Sequence, residues 1–260
     1  MDLGIKDRKA VVCASSQGLG LACATALARE GCKVWINGRN ADKLADAARQ
    51  IDALGGAHRV EIIVADIATE AGRAAILAAC PEPDILVNNN AGPEPGKIAD
   101  WSENDWREAV EGNMLAPILL IKAYVPGMRA RRFGRIVNIT SAMVKSPSAT
   151  MGLSAAVRAG LTALSKSVQK DSVVDNVTIN NLLPERFDTD RQRFMAERMT
   201  QREGITVEEA RKRIANTIAA KRLGKPGEFG DACAYLCSDQ AGFVSGQNLQ
   251  LDGGSYAGLV

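Results

Sequence analysis

Residues 9–20, Lys-Ala-Val-Val-Cys-Ala-Ser-Ser-Gln-Gly-Leu-Gly, leave few folds open to this chain. Lys9 to Cys13 is a short apolar run of the kind that fills the middle of a parallel sheet. Ala14 to Gln17 are small or polar and read as a turn. Gly18-Leu19-Gly20 then opens an Ala/Leu-rich stretch, Leu21 to Arg29, of helical composition. Strand, small-residue turn and helix start are how open α/β folds hold a dinucleotide. Backbone N–H groups and the helix N-terminus face the pyrophosphate, and glycine lets the backbone approach. The G-x-G-x-x-G spacing is absent, so these residues alone also fit a tight turn with no ligand.

The rest of the chain repeats the alternation. Lys33–Asn37, Val60–Ala65, Asp84–Val87, Arg135–Thr140, Val177–Leu183 and Asn248–Leu251 read as further strands. Helices are expected over about 40–54, 70–80, 103–131, 153–172 and 228–237, with Ser102 and Asp105 as a capping box and Pro117 as a break. Seven strands alternating with helices make a doubly wound parallel sheet with helices on both faces, an α/β fold. No linker or repeat divides residues 1–260, so one domain is expected. The least sheet-like segment is 188–221, a candidate substrate lid or an ordinary peripheral helical pair.

Composition narrows the function classes. A net charge of +2 gives no global field for nucleic acid. No apolar run approaches the roughly 18 residues of a membrane span, and residues 1–7 lack a signal-peptide core, so the expected compartment is the cytoplasm. The six cysteines form no C-x-x-C pair and are expected reduced and mostly buried. His58 is the only histidine and sits in a Gly-rich loop. A metal site and a Ser-His-Asp triad are both poorly supported.

At this point the chain resembles the short-chain dehydrogenase/reductase family, in its 3-oxoacyl-ACP reductase-like branch, over essentially its whole length. The family's T-G-x-x-x-G-x-G turn corresponds to Cys13-Ala14-Ser15-Ser16-Gln17-Gly18-Leu19-Gly20. Its adenine-contacting Asp corresponds to Asp66, followed by Ile67. Its N-N-A-G falls on Asn88-Asn89-Asn90-Ala91, its helix Asn on Asn113, and its catalytic Ser on Ser141 in Asn138-Ile139-Thr140-Ser141. The Pro-Gly segment flanking nicotinamide corresponds to Pro184-Glu185, followed by Phe187-Asp188-Thr189-Asp190. Ser245-Gly246-Gln247 and Asp252-Gly253-Gly254 resemble the C-terminal signature. The resemblance implies a Rossmann fold that binds a nicotinamide dinucleotide through the positions just named, and a homotetramer or homodimer packed through the long helices.

The departures carry as much information. Cys13-Ala14 stands where Thr-Gly is usual, and Ala14 fits easily only at negative φ. Glu185 replaces Gly. The catalytic Tyr-x-x-x-Lys becomes Ser154-Ala155-Ala156-Val157-Arg158, and the only tyrosines, Tyr124, Tyr235 and Tyr256, lie elsewhere. General acid–base catalysis contributes roughly 10²–10⁴-fold and favours groups that titrate near the working pH. A serine hydroxyl does not. Arg158 is planar, charged and rich in donors, suited to ribose hydroxyls or to developing negative charge. Ser141 can orient a carbonyl, and Asn113 can hold a water in a proton path.

Cofactor choice leans to NADP over NAD. The second strand ends Asn37-Gly38-Arg39-Asn40 with no acid until Asp42, and Arg39 stands where an arginine can pair with a 2′-phosphate. Arg129, Arg131 and Arg132 suit either an acidic carrier protein or the C-terminal end of a helix dipole. Three functions follow as expectations, one of them a different lyase-like or reductive chemistry on the same scaffold. The first is an NADP-dependent oxidoreductase acting on a small carbonyl or alcohol, including a 3-oxoacyl thioester, through Ser141, Ser154 and Arg158. The alternative is a catalytically silent nucleotide-binding homologue that works through its partners.

Overall fold

The computed structural model describes residues 2–259; Met1 and Val260 lie outside the described residues. Seven strands form one all-parallel sheet in the order β3-β2-β1-β4-β5-β6-β7. They are β1 (Lys9–Val12), β2 (Lys33–Gly38), β3 (Glu61–Val64), β4 (Ile85–Asn88), β5 (Gly134–Ile139), β6 (Val177–Pro184) and β7 (Asn248–Leu251). The helices are α1 (Gly18–Arg29), α2 (Ala41–Asp52), α3 (Glu70–Ala79), α4 (Glu103–Val110), α5 (Ala116–Ala130), α6 (Gly152–Ser172), α7 (Asp190–Glu203), α8 (Val207–Asn216) and α9 (Pro226–Cys237). The strand order reverses between β1 and β4, which opens a crevice beyond their carboxyl ends.

Alternation along β1 builds two cores, because successive side chains leave a strand on opposite faces. Ala10 and Val12 pack with α1, α2 and α9 on one side. Val11 and Cys13 pack with α3, α5 and α6 on the other. All six cysteines are free and buried. Burial pushes the Cys13 thiol up to about 12, so it is a packing group at the sheet end.

Four asparagines stand in register on adjacent strands: Asn88 opposite Asn138, Asn138 opposite Asn181, Asn181 opposite Asn248. Each amide passes a hydrogen bond to the next, at 2.8, 3.0 and 2.8 Å, and Asn138 also donates to Ser165 Oγ at 3.0 Å. This polar ladder pairs amide to amide across four strands, with the buried Asn88 Oδ1 at its start left without a partner.

One element differs from expectation. The helix expected over 103–131 with a break at Pro117 is interrupted a turn earlier, by a π-helical turn at Glu111–Leu115. Pro117 has no N–H for the carbonyl four residues before it, that of Asn113, so the ladder widens there. The Ser102/Asp105 capping box is present. Segment 188–221 forms α7 and α8, which close on a small core of Ala196, Ala210 and Ile214.

Candidate active site

A cleft of about 650 Å³ runs across the carboxyl ends of the strands. One end is built by the turn after β1. Ala14 takes φ +44°, in the left-handed region, so the condition under which alanine fits this turn easily is not met. The position survives without glycine because its backbone is tied on both sides. Its N–H donates to Asn37 Oδ1 at 3.4 Å and its carbonyl accepts from Asn89 Nδ2 at 3.0 Å. Gly20 is obligatory for a different reason: a Cβ there would stand 2.3 Å from the Ala14 carbonyl oxygen.

Of the residues expected on the cofactor, Ala14, Ser16, Gln17, Gly18, Leu19, Arg39, Asp66, Ile67, Asn89, Asn90, Pro184, Phe187 and Thr189 line the cleft. Ser15 and Gly20 do not. Ser15 is fully buried, its hydroxyl donates to Val12 O at 2.6 Å, and its N–H is spent on Asn37 O at 2.8 Å. It shapes the turn from beneath.

The residues present fit a phosphorylated dinucleotide. No side chain caps α1, and α1 begins with Gly18 and Leu19 on the cleft wall. The start of a helix at the cleft wall is suited to anionic oxygen. Arg39 is largely exposed at the rim, 3.8 Å from Asp66. Lys43, which sequence reasoning missed, stands beside it and reaches Gln17 Oε1 at 3.0 Å. It lies on the first turn of the helix that Asn40 caps, a position with no sequence signature.

The other end holds Ser154 and Arg158, the positions on which the sequence resemblance puts the catalytic pair. Ser154 and Arg158, one turn apart on α6, are both buried and both line the cleft with Ser141. They are not helix-surface residues. Arg158 Nε donates to Ser154 Oγ at 3.2 Å, Nη1 to the carbonyls of Ile139 and Thr140 at 2.7 and 2.9 Å, and Nη2 to Asn113 Oδ1 at 3.1 Å. Asn113, on the π-helical turn, lies behind the arginine and does not itself line the cleft. Burial, and then the charge of Arg191, push Arg158 down to about 10, so it is cationic at neutral pH. Ser141 Oγ accepts from Met143 N at 3.1 Å. Both serine hydroxyls thus have an acceptor function met and a proton left to give.

Segment 188–221 contributes Thr189, Asp190, Arg191, Gln192 and Phe194 to the cleft wall. Arg191 donates to Pro93 O at 2.9 Å, and Glu94 pairs with both Arg191 and Arg198, joining α7 to the loop after β4. None of the three tyrosines lines the cleft. Tyr124 donates to Cys80 O at 3.0 Å in the core, Tyr235 is exposed on α9, and Lys145 sits 5.3 Å over the ring of Tyr256. The basic cluster is internally paired: Arg129 and Arg132 with Asp175, Arg131 with Glu82. His58 pairs with Asp7. Among the described residues no group of His, Cys, Asp or Glu could hold a metal ion, and no helix is long and apolar enough to cross a membrane.

A family model described as Enoyl-(Acyl carrier protein) reductase matches residues 13–256. The chain belongs to the short-chain dehydrogenase/reductase family. It is 31% identical over 256 residues to the NADPH-dependent reductase BacG of Bacillus subtilis, covering 97% of this chain and 99% of that one. It is 29% identical over 254 residues to the 3-oxoacyl-[acyl-carrier-protein] reductase FabG of Escherichia coli, covering 98% and 99%. The L-sorbose reductase of Gluconobacter frateurii, solved with NADPH and L-sorbose, superposes with a TM-score of 0.93 at 29% identity, with full coverage of both chains. The seven-stranded parallel sheet is thus the Rossmann fold of this family.

Proposed function

We propose that this protein is an NADPH-dependent reductase of a small carbonyl compound, or an NADP⁺-dependent dehydrogenase of the matching alcohol, that works without a catalytic tyrosine. The observation that carries this reading is the meeting of Ser141, Ser154 and Arg158 at one end of a cleft whose other end fits a phosphorylated dinucleotide. Backbone N–H groups of Gly18 and Leu19 would hold the pyrophosphate, and Asp66 and Ile67 the adenine. Arg39 and Lys43 would take the 2′-phosphate, while Asn89, Asn90, Pro184, Phe187 and Thr189 flank the remaining length. Bound NADPH supplies a hydride to the carbonyl carbon.

The chain's own groups then act on the carbonyl oxygen. Arg158 spends its Nε–H on Ser154 Oγ, which leaves the Ser154 proton free to point at substrate. Ser141 is placed likewise by Met143 N–H. Two hydroxyls backed by a buried cation stabilise charge as it builds on that oxygen, the preorganised electrostatic effect usually worth most in enzymes. Water delivers the proton, since neither serine is an acid near neutral pH. Asn113 positions Arg158, and α7 acts as a lid over the substrate.

The substrate reading extends to a 3-oxoacyl thioester, and the assembly to a homotetramer or homodimer in the cytoplasm. A silent nucleotide-binding protein is the second reading, favoured by one fact: all four hydrogen bonds of Arg158 go to protein groups. Calorimetry with NADPH and NADH, followed by a carbonyl screen that reads loss of NADPH absorbance, separates the two. NADPH binding with turnover supports the reductase. Binding without turnover leaves the silent homologue, and no binding of either nucleotide sinks both.

A further inference from the structure

We propose that the substrate carries a carboxylate close to its reacting carbonyl, held by the free edge of Arg158 together with Arg191. The proposal rests on the reductase reading above and names its substrate class.

A guanidinium has five N–H donors. Arg158 spends four, and every acceptor is neutral: a hydroxyl, two backbone carbonyls and an amide oxygen. The fifth belongs to Nη2, which faces Gly92 across the cleft wall; a Cβ at Gly92 would sit 3.5 Å from it. The charged neighbour that Arg158 feels is a second cation, Arg191. A buried charge left without a counter-ion is costly. Arg135 shows how the same fold treats a structural arginine. It too is buried and gives four hydrogen bonds to neutral acceptors, but it stacks on Phe133, feels the negative charge of Asp239 and lies outside the cleft.

The nearby carboxylates do not cancel the field. Glu94 is shared between Arg191 and Arg198, one negative charge against two positive. Glu185 lies 3.9 Å from Arg186, and Asp66 is at the Arg39 end. Asp190 opens α7 beside Arg191 and is the remaining acid on the cleft wall. The corner between α6 and the first turn of α7 is left positive. A carboxylate there meets the fifth donor of Arg158 and the charge of Arg191. Because Ser154 sits on the other edge of the same guanidinium, the carbonyl and the carboxylate must be near neighbours in one small molecule, as in an oxo acid.

The test uses the NADP⁺-saturated protein and two near-isosteric probes, pyruvate and neutral pyruvamide, by calorimetry. Pyruvate is expected to bind at least about tenfold tighter, and the preference to shrink at least about threefold in Arg191→Gln. Arg191 is a partly exposed residue at the start of a surface helix, so this variant keeps the fold. Equal binding of both probes, binding of neither, or an undiminished preference in Arg191→Gln overturns the proposal. Failure of NADP⁺ itself to bind is a separate result and overturns the reductase reading instead.

Discussion

Arg158 Nε donates to Ser154 Oγ at 3.2 Å across one turn of α6, so the two buried residues form a single unit at the cleft wall. They separate under mutation. Arg158→Ala strands the buried carbonyls of Ile139 and Thr140. Unmet acceptors cost about 1–3 kcal/mol each, partly offset by removing an unpaired buried charge. A net loss of about 2–4 kcal/mol is expected in urea denaturation. Ser154→Ala is expected to stay within about 1 kcal/mol of wild type yet lower kcat about 10²-fold, the worth of one oxyanion donor.

The pH profile tests the absence of an acid. A catalytic tyrosine or histidine would place an ionisation inside the working range. Here the rate of carbonyl reduction is expected to stay flat between about pH 6 and 9. It then falls as Arg158, pushed down to about 10 by burial and by Arg191, loses its charge. A bell-shaped curve centred near neutrality would contradict this mechanism.

Arg39→Ala and Lys43→Ala are each expected to weaken NADPH binding about tenfold and to leave NADH within about twofold, because only NADPH carries the 2′-phosphate. Both groups lie at the open rim, so the NADPH preference is expected to shrink as salt rises. Equal losses for the two nucleotides would move the phosphate site elsewhere.

The asparagine ladder is expected to behave as one network. Asn138→Ala removes the donor to both Ser165 and Asn181 and the acceptor for Asn88. A loss of about 3 kcal/mol is expected from several buried groups left unmet at once. Asn138→Ala combined with Asn181→Ala should cost less than the sum of the two, measured as a double-mutant cycle.

Glu185 gives a pH-dependent stability effect. Burial is the main cause that raises its pKa above 4.5, with Asp252 adding to it and Arg186 opposing. The raised folded value means that ionisation destabilises the fold, a cost absent at low pH and present in full once the pH exceeds the raised value. Glu185→Gln is therefore expected to gain a few tenths of a kcal/mol at pH 7 and nothing at about pH 4. A gain of the same size at both pH values would mean that ionisation of Glu185 is not its cause.

Much of the fold was legible because it is written in local periodicity. The strand, turn and helix start at residues 9–20, the seven strands and the Ser102/Asp105 cap each follow from neighbours in sequence. The π-helical turn was not legible in place. Pro117 announced a disruption, but the hydrogen bond it removes belongs to Asn113, one turn back, and helix geometry decides which carbonyl is left. Lys43 was missed because a lysine on the first turn of a helix has no signature of its own.

By itself, the sequence determined the sheet, the dinucleotide turn and the loss of tyrosine, since these depend on residue identity and short spacings. Only the tertiary structure decided what the replacements do. Ile139, Thr140 and Asn113 lie 18 to 45 residues from Arg158 in the chain, yet they surround its guanidinium. Arg191 and Gly92 reach the same corner from α7 and from the loop after β4. A buried cation gains its role from the groups that fail to neutralise it, and that is a property of packing in three dimensions.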